Sequence, residues 1–514
     1  MKSKLTTRTH YSVKNATVAM ATKILAIVFG YFARMVLTRV IAIEYVGLNG
    51  LLMNILGALN VFDLGIGTAL VYSLYKPVAA HDEAKQNLYL ELYKKIYFWI
   101  AALVTVICLL MYPIMRVLLF KKFTVEHLFL IYLVFTARTV SSYFLMYRSI
   151  IFLANQRNYV NDLIDSILLI LQNVIQIVLL VSTKSFYLFI SIGLFTLLLR
   201  NCLIYWFAGV EYPFICRKPV GKLGKEEKES VYKNVKAILM HKIGTVIINN
   251  IDNLTLTSVV GIIAVGLYSN YYLIIGSISQ IIGRIIYGIS GSVGNLGTTE
   301  DKNHVKEVFL GTFLLVAIGY GTASIVLSEM LDVFVEASFG TEYVFPRLVT
   351  VVLCVNFFLN GLRQASLIFR DSLGLFWHDR YKTIIESLVN LVFSIILAKK
   401  MGAAGVFIGT FISIVGVSMW VEPIVLYRDY FKSPVSEYFK KLLKYVFLYG
   451  CSFLLVNYLN QMIPWENDII QYFGMICVSS AVSLLILGGF NIKTPEMRFV
   501  ISHLKPLVKK EETL

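Results

Sequence analysis

Residues 33–79 read ARMVLTRVIAIEYVGLNGLLMNILGALNVFDLGIGTALVYSLYKPVA. One apolar helix ends in this stretch, the Glu44-Tyr45-Val46-Gly47 segment predicts a tight turn, and a second long apolar helix follows. Arg34, Arg39 and Asp63 interrupt sequence that is otherwise greasy. A charge at bilayer depth costs about 3 kcal/mol or more, so such residues normally face a partner or a wet cavity. The stretch therefore predicts one wall of a polar cavity inside a membrane.

The rest of the chain extends that reading. Of its 514 residues, 57% are hydrophobic and 15% are charged, and mean hydropathy is +0.72. Soluble domains carry about a quarter charged residues. Apolar runs of about 20 residues, enough to cross the hydrocarbon layer, recur throughout. A membrane β-barrel would show alternating segments of about ten residues instead. The reading is an all-α polytopic membrane protein with about fourteen spans, at 13–43, 45–79, 96–120, 125–153, 160–182, 186–209, 234–262, 265–297, 306–328, 345–370, 381–399, 404–427, 441–463 and 469–490. The basic start MKSKLTTRTHYSVKN leads into a helix too long for a cleavable signal. The six cysteines form no CxxC pair, so neither a disulfide framework nor a zinc site is expected. A net charge of +16 fits basic loops on one membrane face and calls for no nucleic acid.

With the N-terminus inside, inside segments hold 31 of the 47 lysines and arginines, and outside segments hold seven. This bias predicts that both termini are cytoplasmic. Shifting the chain so that Lys14-Asn15 meets Lys233-Asn234 also aligns Lys23-Ile24 with Lys242-Ile243, Val46-Gly47-Leu48 with Val265-Gly266-Leu267, and Thr38–Ile43 with Thr257–Ile262. Six spans separate the copies, so the repeat is parallel, as in transporters built from two like halves. The expected parts are an N-terminal lobe at 1–209, a cytoplasmic linker at 210–233, a C-terminal lobe at 234–427, two further helices at 441–490 and a cytoplasmic tail at 491–514. The two lobes are pseudo-symmetric six-helix bundles.

Polar residues inside the spans are the candidate site. Lys23 and Arg34 are three helical turns apart and share a face. They make a cationic stripe, or Lys23 snorkels and Arg34 pairs with Asp63. Gly65 and Gly67, beside Asp63, suit bending or close packing and form no nucleotide loop, since no strand precedes them. Arg138 lies near the middle of the fourth span, with Ser141 and Ser142 a turn on. Arg284 lies in the eighth span, and Asn356, Asn360 and Arg363 share one face of the tenth. Lys242, Asn249, Asn250, Asp252 and Asn253 lie in the seventh. The carboxylate and amides of Asp252, Asn249 and Asn253 suit a coupling Na+ or H+, or else an interhelical hydrogen-bond network. The set for substrate is Lys23, Arg34, Arg39, Asp63, Arg138, Lys242, Arg284, Asn360 and Arg363. No metal motif, Walker lysine or catalytic triad signature occurs, so no cofactor and no enzyme chemistry is expected.

FARMVLTRVIAIEYVGLNGLLMNIL at 32–56 and DLGIGTALVYSLYKPVAAHDE at 63–83 resemble bacterial polysaccharide flippases of the multidrug/oligosaccharidyl-lipid/polysaccharide exporter superfamily. The arginine pair followed by glycine is also similar to the lipid II flippase. The resemblance implies two bundles around a V-shaped cavity that opens alternately to each side. It implies a substrate of an oligosaccharide repeat unit on undecaprenyl diphosphate, in a bacterial cytoplasmic membrane, for capsule, exopolysaccharide or wall polymer synthesis. Glycosyltransferases and a polymerase of the same pathway are the implied partners, alongside membrane lipids. It implies a cavity arginine at Arg34 and a lipid-tail groove on the last two helices. The residues agree on chemistry, because a diphosphate with bulky sugars needs a cationic, laterally open cavity and arginine's fork suits phosphate oxygens. A drug/cation antiporter of the same fold would want excess acids inside the spans. A membrane polymerase would want a large outside loop.

Overall fold

The computed structural model describes residues 25–59, 70–71, 73–78, 80–118, 126–155, 157, 159–229, 231–232, 250–287, 301–373, 375, 379, 381–462 and 468–502. Among these residues there is no strand, and ten helices are long and apolar enough to cross a membrane. Each of the fourteen expected spans contains described helix. The chain forms two compact units, one of 1–253 with 261–266 and one of 254–260 with 267–514.

In the first unit, helix 25–40 gives way at 41–42 to the Ile43–Leu59 helix. The break thus precedes the expected Glu44–Gly47 turn, and Gly47 lies inside a helix. Its role is close approach. A Cβ there would stand 2.6 Å from the Ile262 carbonyl oxygen, and one at Gly266 would stand 3.2 Å from Gly47 Cα. The two glycines that the sequence repeat equates therefore face each other, and only backbone fits between them.

The 36-residue Glu83–Leu118 helix starts at Asp82, whose carboxylate accepts from Lys85 N–H at 2.9 Å. An aspartate there satisfies one of the first-turn donors that a helix cannot bond internally. This helix also holds the described part of the 210–233 segment. Asn87 Nδ2 donates to the Phe214 and Arg217 carbonyls at 3.0 and 2.9 Å, and Lys85 pairs with Glu227 at 2.6 Å. The described linker is therefore fastened to the first unit, and the unit boundary falls at 253, inside the seventh span.

The expected continuous fourth helix is broken. Leu128–Ser141 ends, Leu145 takes a left-handed φ of 66°, and a short turn at Met146–Arg148 leads into Ser149–Ala154. Neighbouring helices satisfy the freed carbonyls. Asn201 Nδ2 donates to Ser141 O at 2.7 Å, and Asn161 Nδ2 to Ser149 O at 3.1 Å. Within a membrane such irregular backbone persists only where protein groups replace the lost bonds.

In the second unit, Lys302–Phe339 and Arg347–Ser372 supply the core. Phe309 and Phe313 stack on Tyr438 of the Ser436–Met462 helix. Lys382–Met401 and Ala403–Ser413 form a hairpin with backbones in near contact. A Cβ at Gly405 would meet the Leu397 backbone at 2.2 Å, and one at Gly409 would meet Ser394 N at 2.5 Å. Small residues four apart are the usual device for such closeness in membranes. The twelfth span, expected to be regular, alternates α and π turns. Ile414–Ser418 and Leu426–Phe431 are π-helical and flank Met419–Val425, which contains Pro423.

Candidate functional site

The first unit builds its polar site at the helix break. Arg138 sits in the last turn of Leu128–Ser141, where the helix dipole favours a cation. Its Nη1 donates to Met53 Sδ at 3.4 Å. It ion-pairs with no carboxylate among the described residues. Gly193, on the Phe186–Glu211 helix, makes its room, because a Cβ there would stand 3.2 Å from Arg138 Nη1.

Amides line the adjoining helix. On Tyr159–Thr183 the buried residues include Asn161, Gln172, Asn173 and Gln176. Gln176 Nε2 donates to Phe189 O at 2.8 Å, one turn from Gly193. Asn173 Nδ2 is buried without an acceptor and points toward Gly30 of helix 25–40, where a Cβ would approach it to 3.8 Å. Arg34 is one helical turn beyond Gly30. The nearby Arg200 is committed differently, since two of its nitrogens bond both oxygens of Asp165.

The second unit builds a charge cluster. Arg363 Nη1 bonds Glu386 at 3.0 Å and Nη2 bonds Glu422 at 2.8 Å. Lys382 Nζ reaches Glu422 at 2.5 Å and Glu386 at 3.9 Å. All four are buried, and Glu422 is fully so. Taking an ion out of water costs several kcal/mol, which well-placed counter-charges offset. Two cations and two anions leave the cluster neutral.

The sequence reading placed Arg363 in the set for substrate, on an asparagine-lined face, and the structure surrounds it with acids that the reading did not include. The guanidinium is saturated by Glu386, Glu422 and the Asn360 side-chain oxygen at 3.1 Å. Asn360 does share its face, while Asn356 turns away to donate to Phe407 O at 2.8 Å. Glu386, Glu422 and Lys382 were missed because the reading weighed no charged residue of the eleventh or twelfth span. Charged residues within the expected spans 381–399 and 404–427 were the available signal, and they remove the cationic excess in this unit. The amide row of the fifth span was missed too, although LQNVIQ at 171–176 carries it.

Of the remaining candidates, Arg34 is half-buried and Arg39 exposed on helix 25–40. Asp252 is half-buried and Asn253 buried. Lys23, Asp63, Lys242 and Asn249 lie outside the described residues, as does the side chain of Arg284. No cluster of three or more metal-ligand side chains occurs among the described residues.

The chain matches an inward closed lipid II flippase with a TM-score of 0.67 at 12% identity, over 92% of this chain and 99% of that one. An inward-facing multidrug resistance transporter of the MOP superfamily gives 0.65 at 11%, over 78% and 94%. A Vibrio cholerae MATE transporter gives 0.50 at 13%, over 82% and 99%. No family model and no curated protein sequence matches. At these identities the likeness establishes the fold: the chain is an all-α, multi-pass membrane protein with the fold of the multidrug/oligosaccharidyl-lipid/polysaccharide exporter superfamily.

Proposed function

We propose that this chain is a flippase, carrying oligosaccharide repeat units on undecaprenyl diphosphate across the bacterial cytoplasmic membrane by alternating access. The observation that carries the reading is Arg138, a cation inside a span with no carboxylate partner among the described residues and a glycine cleared for its guanidinium. An arginine fork matches phosphate oxygens two at a time. Of the neighbouring amides, Gln172 donates to Gln176 and Gln176 to Phe189 O, which leaves the Asn173 Nδ2 as a donor that a sugar hydroxyl oxygen can accept from. Likeness to a lipid II flippase over nearly the whole chain supports the same reading.

A drug/cation antiporter is the second reading. The buried carboxylates of Glu386 and Glu422 favour it, as does the likeness to a multidrug transporter. Both carboxylates are neutralised by Arg363 and Lys382, however, which leaves this cluster no excess of acid for a cationic drug.

The deciding measurement is export of the lipid-linked repeat unit in cells that depend on this protein, with its membrane level followed alongside. Arg138→Ala should reduce export severely at normal protein level. Full export would remove the reading, and a change in drug tolerance instead would favour the antiporter. Cytoplasmic termini are part of the proposal, so cysteines placed at 225 and 337 should label from opposite sides. For coupling by Na+ or H+, Asp252→Asn should change the gradient dependence of export; unchanged dependence would end that assignment.

A further inference from the structure

The second unit carries an apolar groove of about 750 Å³ that the polar sites do not use. Its walls come from three helices and include Phe358, Phe411, Trp420, Leu443, Val446 and Gly450. Leu443 is 68% exposed and Trp420 51%. In a spanning segment these are faces turned to lipid.

One rim is charged. Lys440 lines the groove beside Ser436, in the first turns of Ser436–Met462, where the helix dipole adds positive character. The lysines around it are committed. Lys441 bonds Glu496, Lys444 bonds Asn491 at 2.7 Å, and Lys306 bonds Glu437 at 2.5 Å. Lys440 is exposed and forms no ion pair with a described residue. An exposed lysine lining an apolar groove suits snorkelling, with the stem on apolar surface and the ammonium in water. Trp420 packs against Phe439 at the same rim, with ring centroids 4.7 Å apart. Tryptophan and lysine together mark headgroup depth.

The size selects among lipids. A cavity of about 150 Å³ takes benzene, about 25 Å³ per carbon, so this groove holds about 30 carbons. That matches two ordinary acyl chains. A chain of eleven isoprene units has nearly twice as many carbons.

We propose that the groove binds one anionic diacyl phospholipid, its chains on the apolar walls and its phosphodiester at Lys440. It concerns a resident lipid and not the cargo, at a groove lined by Ser436–Met462, one of the two last helices to which the resemblance assigns a lipid tail.

The test uses the full chain in detergent and native mass spectrometry, with phosphatidylglycerol and phosphatidylcholine of identical chains as probes. The protein should take up one phosphatidylglycerol with about fivefold preference, the scale of one lysine at an anionic headgroup. Lys440→Gln should abolish the preference and keep chain binding. A Cβ at Gly450 meets nothing within 4 Å, so Gly450→Phe should fill the groove, fold normally and lose both lipids. Equal uptake of the two lipids, undiminished preference in Lys440→Gln, or phosphatidylglycerol retained by Gly450→Phe each overturns the proposal. So does a polyprenyl phosphate that displaces phosphatidylglycerol from the wild type and fails to bind Gly450→Phe, which would assign the groove to the substrate tail. Lys440 is exposed, so its variant decides the question even where Gly450→Phe expresses poorly.

Discussion

Arg138 and Arg363 look alike in the sequence, each a lone arginine within an apolar span, yet the two units treat them in opposite ways. Arg363 is held by two carboxylates and an amide oxygen. Arg138 has a methionine sulfur for a partner and the space above a glycine for room, at the end of its helix. A caged arginine fixes structure, because removing either partner strands a buried charge. An arginine without a carboxylate among the described residues suits an anionic ligand, the role proposed above for Arg138. The depth of a charge in the membrane therefore says less about its job than the acids its neighbours bring.

The contrast breaks first at Glu422. Glu422→Ala leaves Arg363 and Lys382 facing one carboxylate, and stranding a buried charge costs about 3–5 kcal/mol. Thermal unfolding in detergent should show the largest loss of any single change considered. Adding Lys382→Met to that variant restores neutrality and should recover much of the loss; no recovery would mean that Glu422 acts by shape. Arg138→Ala should do the reverse, leaving unfolding nearly unchanged while lowering substrate affinity about 10- to 100-fold, the worth of a charge-assisted hydrogen bond. Arg138→Lys should fall between, since it keeps charge and loses the fork. If Arg138→Ala unfolds as easily as Glu422→Ala, the two arginines are alike after all.

Smaller effects sharpen the setting of Arg138. Asn201→Leu removes the side-chain donor to Ser141 O at the helix break, leaves that carbonyl its Phe144 N–H, and should cost about 0.5–1.5 kcal/mol, the net worth of one hydrogen bond. If stability holds, water has replaced the amide. The smallest effect concerns the linker. The hydrogen bond from Lys85, helped by Gly224 N–H, holds the Glu227 carboxyl below its ordinary value. That contribution is complete above the ordinary carboxylate value of about 4.3 and fades as pH falls through the lowered one. Limited proteolysis of 218–229 should thus be slow at neutral pH and quicken below about pH 4, whereas Glu227→Gln should remove the pH dependence.

Much of this was legible in the chain because membranes impose a coarse grammar. Spans follow from apolar length, and the placing of Asn360 beside Arg363 followed from helical spacing. What stayed hidden depends on partners distant in sequence. Nothing local in TARTVSSYFLM shows that Asn201 waits to donate to a severed helix end. Likewise Glu422 is 59 residues from Arg363, and no spacing rule joins them. The Val-Gly-Leu repeat was visible, but its glycines looked like a turn until the structure set them face to face.

The Gly405 and Gly409 contacts have a mechanical meaning. By fusing Lys382–Met401 to the helix that runs on to Glu422, they put Lys382, Glu386 and Glu422 on one piece of hardware and leave Arg363 on another. The cluster has a single seam. A motion that parted these pieces would separate one positive charge from a partner carrying one net negative charge, at an electrostatic cost that resists it.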